Sequence, residues 1–137
     1  MRPPYEIFDH TADIGLRIYG KDLRELFQNA GRGFTDLIVD VSRIPCRIKR
    51  NIRVESENAL LLDFLKELLY LFDTKALLFS RFEVSTLTDH VLECEAEGDA
   101  LDFHADSFKT ALKAVTHHLF EIKKTKDGFC ATVIFDV

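Results

Sequence analysis

Residues 119–137 read LFEIKKTKDGFCATVIFDV, two apolar segments separated by a polar turn. The dipeptide Asp127-Gly128 is one that tight β-hairpin turns favour, and it lies between Leu119–Lys124 and Phe129–Val137. The second segment alternates, so one face of a strand would carry Phe129, Ala131, Val133 and Phe135, and the other Cys130, Thr132, Ile134 and Asp136. The end of the sequence therefore predicts an antiparallel hairpin.

Five segments upstream of this hairpin are also short and rich in apolar residues, mostly at alternate positions, as strands are. They are Tyr5–Phe8, Ile14–Tyr19, Cys46–Glu55, Leu77–Ser85 and Val91–Glu97. Asp99–Ser107 is polar and is predicted to be a loop, whereas Phe108–His118 fits a helix and a strand equally well.

Two segments have the apolar spacing of helices. Apolar residues recur every three or four positions in Lys21–Val39, which predicts a helix that Gly31 and Gly33 could bend. A second, leucine-rich helix is predicted from about Glu57 to Phe72, with Ser56 as its N-cap. Strands and helices do not alternate regularly. We therefore expect an α+β fold: one compact domain over residues 1–137, with a largely antiparallel sheet of about six strands packed with two main helices.

The composition excludes several classes of protein. The chain has 137 residues, 47% hydrophobic and 30% charged, which suits one globular domain and excludes disordered and collagen-like chains. The net charge of −5 argues against a nucleic-acid binder that acts alone through a basic surface. Charged residues interrupt Ala59–Phe72, and no signal peptide precedes Tyr5, so we expect no membrane association.

Cysteine usage favours a cytoplasmic protein. Cys46, Cys94 and Cys130 are an odd number with no CxxC spacing, which predicts neither a disulfide framework nor a zinc site. We expect each of them to be a small core residue.

The polar residues at the two ends of the chain are candidates for metal binding. Asp9–Asp13 connects the first two strands, where Asp and His could bind a metal ion or simply form a turn. Asp136 lies in an apolar strand on the face of Ile134, and a buried carboxylate would need a partner such as a hard cation. The α-carboxylate of Val137 could add oxygen ligands, and such a set suits Ca²⁺ or Mg²⁺ better than Zn²⁺.

Lys113 and the pair His117-His118 form a further polar group. Adjacent residues of a strand point to opposite faces, so two neighbouring histidines rarely chelate one ion. We expect one of them to be buried and the other exposed. Phosphate or metal binding is the alternative.

A basic strand face could bind RNA phosphates or an acidic partner. It consists of Arg43, Arg47, Lys49 and Arg53. Glu93, Glu95 and Glu97 offer a matching acidic strand, so pairing within the sheet would account for both faces without a partner. No P-loop, GxGxxG, HExxH or GxSxG motif occurs in the sequence.

Three stretches together resemble the archease family. They are His10-Thr-Ala-Asp-Ile-Gly15, Leu112-Lys-Ala-Val-Thr-His-His118 and Val133-Ile-Phe-Asp-Val137, and their order also fits. The resemblance implies an accessory protein of the GTP-dependent RNA-splicing ligase, which it helps to become guanylylated and to turn over repeatedly in tRNA splicing and RNA repair. It implies no enzyme activity of its own, and contact with RNA only through the ligase.

The resemblance also assigns roles to residues. It implies a divalent ion, Ca²⁺ or else Mg²⁺ or Mn²⁺, held by Asp13, Asp136 and Val137, and a functional Lys113 that contacts the partner or a phosphate. His10, His117 and His118 are further candidates. His117 departs from the family, which more often has Tyr there, so a hydrogen bond of the Tyr hydroxyl would have to be replaced.

Two other functions remain open at this point. One is a general chaperone or interaction module for nucleic-acid enzymes without metal chemistry, which would need an exposed apolar patch. The other is a metal-dependent hydrolase using Asp13 and Asp136, for which no general base is evident.

Overall fold

The alternating and helical segments form ten main elements in a computed structural model that describes residues 3–10, 12–102 and 108–137. The strands are β1 (Tyr5–His10), β2 (Asp13–Gly20), β3 (Ile48–Glu55), β4 (Leu77–Leu87), β5 (Val91–Ala100), β6 (Ala114–Val115), β7 (Glu121–Thr125) and β8 (Gly128–Asp136). The helices are α1 (Leu23–Ile38) and α2 (Leu60–Lys75), with a short 3₁₀ turn at Val41–Arg43. The predicted α+β class with two main helices is confirmed.

The strands form two antiparallel sheets. One has the order β1-β2-β8-β6, with β7 also paired to β8, and the other has the order β3-β5-β4. The prediction of about six strands in one sheet was too simple, because alternation identifies a strand but not its partner. No helix in the described part of the chain is long and apolar enough to cross a membrane.

Both helices pack on the sheets through one shared apolar core. Helix α1 contacts β2 of the five-stranded sheet and β4 of the three-stranded sheet. Gly31 and Gly33, which could have bent or broken the helix, do not interrupt it: α1 is continuous from Leu23 to Ile38. Gly31 and Gly33 instead allow close packing, because a Cβ at Gly31 would lie 2.6 Å from the Phe82 ring and one at Gly33 would lie 3.0 Å from Leu16. The two glycines thus face opposite sheets.

Two element ends differ from the prediction. Helix α2 begins at Leu60, and Ser56 accepts a hydrogen bond from the Ala59 amide at 3.1 Å, so it caps the turn before the helix. The last hairpin pairs Thr125 with Gly128, which places the turn one residue earlier than predicted. Gly128 begins β8 with φ +142°, and a Cβ there would clash with the Gly20 carbonyl. Position 128 therefore requires glycine, both because φ is positive and because a side chain would have no room.

The cysteines differ in their environment. Cys94 is buried, and burial raises the pKa of its thiol to about 12. Cys130 is half-buried, but Cys46 is exposed, contrary to prediction. The reason is that β3 begins only at Ile48, so Cys46 lies outside the strand whose face it was expected to share.

The structure describes part of Asp99–Ser107, which was predicted to be a loop, and all of Phe108–His118, for which the sequence left helix and strand open. Asp99 and Ala100 continue β5 and do not belong to a loop as predicted, and residues 103–107 lie outside the described part. Most of Phe108–His118 is irregular, with only the two residues of β6 in a strand.

Asp36 on α1 ties this irregular segment to the first strand. Its carboxylate accepts hydrogen bonds at 3.1 Å from the Tyr5 hydroxyl, the Lys109 ammonium and the Val41 amide. The Lys109 amide also donates to the Ile38 carbonyl at 2.7 Å. The chain is therefore held firmly just before it enters β6.

We predict that Gly31→Ala destabilises the protein. Alanine is the better helix former by about 1 kcal/mol. Phe82 is held by the rings of Phe64 and Phe79, however, and cannot give way without disturbing the core. Overpacking should therefore dominate, and urea denaturation should show a net loss of about 1–2 kcal/mol in unfolding free energy. The exposed Arg24→Ala on the same helix is the control. A Gly31→Ala variant as stable as wild type would contradict this packing.

A second prediction concerns alkaline pH. Burial, together with the Asp36 carboxylate, raises the pKa of Tyr5 from 10.0 to about 12. The neutral hydroxyl therefore stabilises the fold fully below about pH 10, and this contribution is lost as the pH rises through 12. The difference in unfolding free energy between wild type and Tyr5→Phe should shrink over that range. Tyr70→Phe, at a side chain that is 58% exposed, is the control; a constant difference for Tyr5→Phe would be the contrary result.

Candidate functional site

A row of polar residues crosses the end of the five-stranded sheet. His10 of β1 lies opposite Asp13 of β2, and Asp13 lies opposite Asp136 of β8. Ala114 of β6 lies opposite Asp136 from the other side. Residues directly opposite each other in an antiparallel pair share a face, so one face of the sheet carries the whole row. We call it the His10–Ala114 row.

This face is the one away from α1. Ile14, Leu16 and Ile18 of β2 pack into or against the core, so the alternate residues Asp13, Gly15 and Arg17 point to the opposite side. The predicted polar loop Asp9–Asp13 is accordingly wrong in part, because Asp9 and His10 belong to β1 and Asp13 to β2. Their fixed strand geometry makes the positions of His10 and Asp13 well defined.

The central feature of the row is the pair of facing carboxylates. Side chains at such positions have Cβ atoms about 4.5–5.5 Å apart, and like charges there are destabilising. Asp13 is 28% exposed, whereas Asp136 is open to solvent. Ile134 is fully buried, but burial does not extend to Asp136, so Asp136 does not lie in the apolar surrounding that the sequence suggested. Its notable neighbour is the facing Asp13.

Val137 follows directly and is 42% exposed. Its main-chain oxygens therefore lie beside the Asp136 end of the row. No three His, Cys, Asp or Glu side chains within residues 3–10, 12–102 and 108–137 form a group that could hold a metal ion. A metal site here would depend on both carboxylates together with oxygen from Val137.

The backbone of Lys113 is hydrogen-bonded to the Asp136 end of the row. Its amide donates to the Asp136 carbonyl at 2.8 Å, and its side chain is exposed. Lys113 lies next to Ala114, the residue opposite Asp136. The structure thus brings together the three sequence stretches that were singled out, although they are far apart in the chain.

The turn 116–120 follows β6 and carries both predicted histidines. The amide and hydroxyl of Thr116 both donate to the Ile134 carbonyl, at 3.0 and 2.9 Å. The Phe120 amide then donates to the His117 carbonyl at 3.1 Å, and Leu119 has φ +56°. His117 and His118 are both exposed, which corrects the expectation that one of them is buried. A turn, unlike a strand, does not send neighbouring side chains to opposite faces.

The two histidines have different neighbours. His117 Nε2 lies 3.4 Å from the Lys66 ammonium on α2, and Lys66 is also 3.9 Å from Asp63. The His118 ring lies beside the His10 ring, with centroids 5.5 Å apart. Lys66 was not predicted, since nothing in the sequence links a helix residue to a turn 51 positions away.

His10 extends the row toward this turn. Its Nδ1 lies 3.6 Å from Asp13 Oδ2. This Nδ1 is buried, and among the described residues it is the one buried side-chain nitrogen or oxygen without a hydrogen-bond partner. Buried polar atoms are rarely left unpaired in native structures, so this atom calls for an explanation.

Gly15 shapes the face next to the row. A Cβ at this position would clash with the Phe8 ring, which lies over the glycine from β1. The Arg17 guanidinium in turn lies 5.0 Å from the centroid of that ring. Arg17 is thus engaged with Phe8, a contact of the cation–π type.

The basic strand face is neutralised within the protein. Lys49 pairs with Glu95 at 3.5 Å, Arg53 with Glu93 at 3.5 Å and Arg47 with Asp99 at 3.3 Å. Arg43 lies 3.8 Å from Asp40. Pairing within the sheet is thus confirmed for Lys49 and Arg53, which belong to β3. Arg47 and Arg43 lie outside β3 and pair with Asp99 and Asp40, not with the predicted Glu97.

The sequence is similar to that of known proteins over almost its whole length. A sequence model of the Archease protein family matches residues 5–137. The chain is 37% identical to a protein archease of Methanosarcina barkeri, over 97% of this chain and 95% of that protein. It is 39% identical to a protein archease of Archaeoglobus fulgidus, over 97% and 98% of the two chains.

A solved structure is similar as well. The solution structure of protein 1598 of Methanobacterium thermoautotrophicum is 35% identical, with a TM-score of 0.85 over 98% of this chain and 99% of the other. Similarity of this extent covers both sheets, both helices and every residue of the His10–Ala114 row. The chain belongs to the archease family.

Proposed function

We propose that this protein is an accessory cofactor of the GTP-dependent RNA-splicing ligase and is not itself an enzyme. In this role it promotes guanylylation of the ligase and allows it to turn over repeatedly in tRNA splicing and RNA repair. Membership of the archease family supports the proposal. The protein would act in the cytoplasm and would meet RNA only through the ligase.

We further propose a divalent cation held by Asp13, Asp136 and Val137. The observation that carries this proposal is the direct pairing of Asp13 with Asp136 across β2 and β8. Two facing carboxylates and a nearby main-chain oxygen are hard oxygen donors, which fit Ca²⁺, with Mg²⁺ or Mn²⁺ as alternatives. When bound, the ion supplies concentrated positive charge that can attract phosphate or carboxylate oxygens.

Lys113 would complement this charge. Its backbone is fixed to Asp136 by a 2.8 Å hydrogen bond, while its side chain is free to extend from the exposed surface. A lysine in this position can neutralise a phosphate of the nucleotide or a carboxylate of the ligase without being a metal ligand. The same edge carries the exposed Leu119 and Val137, which offer apolar contact. We propose that it docks at the mouth of the ligase active site.

The experiment that tests the function is ligase guanylylation and multiple-turnover RNA joining with GTP and metal, with and without this protein. Stimulation by wild type and none by Asp13→Ala would support both the cofactor role and the metal site. Failure with a cognate ligase would favour the general chaperone, and suppression of aggregation of unrelated proteins, insensitive to Asp13→Ala, would then be expected.

The facing carboxylates predict opposite effects with and without metal. Without metal, Asp136→Asn removes a like-charge pair and should leave the melting temperature equal to or slightly above that of wild type. With Ca²⁺ at 100 times its dissociation constant, wild type should gain about 2.7 kcal/mol and the variant much less. Thermal melts with EDTA and with Ca²⁺ measure both. Asp89→Asn, at an exposed turn away from the row, is the control; equal stabilisation of Asp136→Asn would contradict the ligand assignment.

If the Asp136 end of the row docks on the ligase, a tag at Val137 should affect stimulation differently from a tag before Tyr5. A globular tag fused directly to Val137 would lie at the Asp136 end of the row and should abolish stimulation of the ligase. The same tag placed before Tyr5 lies at the other end of β1, because Tyr5 pairs with Ile18 while His10 pairs with Asp13. That protein should stimulate normally. Full activity of the protein tagged at Val137 would show that docking uses another surface.

A further inference from the structure

We infer that His10 is a positioning residue for Asp13: when the cation binds, the His10 Nδ1 closes onto the Asp13 carboxylate and holds it in the orientation that binds the ion. This inference rests on the metal site proposed above and adds a residue that is not itself a ligand. It also explains the unpaired buried nitrogen of His10.

The backbone places the two side chains together. His10 and Asp13 are directly opposed residues of β1 and β2, so their side chains share the face that carries Asp136. The Asp13 oxygen that lies close to His10 Nδ1 is Oδ2. One carboxylate oxygen can thus be engaged by the imidazole while the other remains free to bind the ion.

The distance between His10 and Asp13 leaves room for a contact that closes when the ion binds. At 3.6 Å, His10 Nδ1 and Asp13 Oδ2 are too far apart for a hydrogen bond. A small rotation of the carboxylate would bring them within reach and would satisfy the buried Nδ1. An ion that fixes Asp13 therefore also pairs His10, and the hydrogen bond contributes to the affinity for the ion. Hydrogen bonds to ligating carboxylates commonly act in this way.

The turn 116–120 lies beside the imidazole of His10. The His118 ring lies 5.5 Å from the His10 ring, and its backbone amide lies 3.3 Å from the Thr116 hydroxyl. Thr116 is anchored on the Ile134 carbonyl of β8, two residues before Asp136. The ring of His10 is thus supported from the same strand that provides the second carboxylate.

The test is the affinity for Ca²⁺, measured by calorimetry on the full chain without the ligase. We expect His10→Leu to weaken Ca²⁺ binding about 10- to 100-fold. His10→Asn should retain most of the affinity, because the asparagine Nδ2 can donate from nearly the same place as the imidazole Nδ1. A purely structural role of the ring would not be rescued by the smaller amide.

The controls separate the site from general effects of losing a histidine. His90→Leu removes an exposed histidine whose Nδ1 lies 3.1 Å from the Ser56 carbonyl, far from the row in the turn before β5, and should leave Ca²⁺ affinity unchanged. His118→Ala should give an intermediate loss, since His10 keeps its donor but loses its support. Circular dichroism verifies folding, and His10→Ala takes the place of His10→Leu if the latter does not fold.

The outcomes distinguish this inference from the proposal on which it rests. If wild type binds Ca²⁺ and His10→Leu binds it equally well, the positioning role is wrong and the metal site stands. If both His10→Leu and His10→Asn lose affinity equally, hydrogen-bond donation is not the mechanism. If wild type binds no divalent ion, both the metal site and the positioning role are overturned.

Discussion

The register between β2 and β8 is the constraint on which the rest of the site depends. It places Asp13 opposite Asp136 and, through β1 and β6, adds His10 and Ala114 to the same row. A shift by one residue would turn one carboxylate toward the core and the other toward solvent. The register is secured by burial, because Leu16, Val133 and Phe135 must all remain on the face toward α1. The buried apolar residues thus determine the register, and with it the positions of the polar residues in the row.

The remaining elements keep this sheet end rigid from several directions. The Asp36 carboxylate accepts hydrogen bonds from β1, from the turn after α1 and from Lys109. These hydrogen bonds hold the chain in place shortly before Lys113. Thr116 fastens the following turn to β8 with two hydrogen bonds. The three-stranded sheet takes no part in the row; its charged face is balanced by its own ion pairs. The proposed site therefore lies at one end of one sheet.

Much of the fold was predictable because strands and helices have different apolar periods. The apolar spacing of segments such as Ile14–Tyr19 and Lys21–Val39 indicated their type directly, and Glu93 and Glu95 were correctly predicted as partners of the basic strand. Pairing was not predictable: no local pattern shows that β3 belongs to a different sheet from β2. Asp13, Asp136 and Lys113 were selected through motifs, whereas Lys66 and the facing of His10 with Asp13 depend on tertiary geometry. Cys46 and the paired histidines were misjudged because strand ends lie outside the range of alternation rules.

The pairing of β2 with β8 also has a consequence for biosynthesis. These strands are far apart in the sequence, so α1, α2 and the three-stranded sheet are all synthesised before β8, the neighbour of β2, is available. Contacts between such distant segments form late and slowly. A chain interrupted shortly before β8 would leave the edge of β2 open and would carry Asp13 without Asp136. Asp13 and Asp136 can therefore face each other only after residues 128–136 have been made.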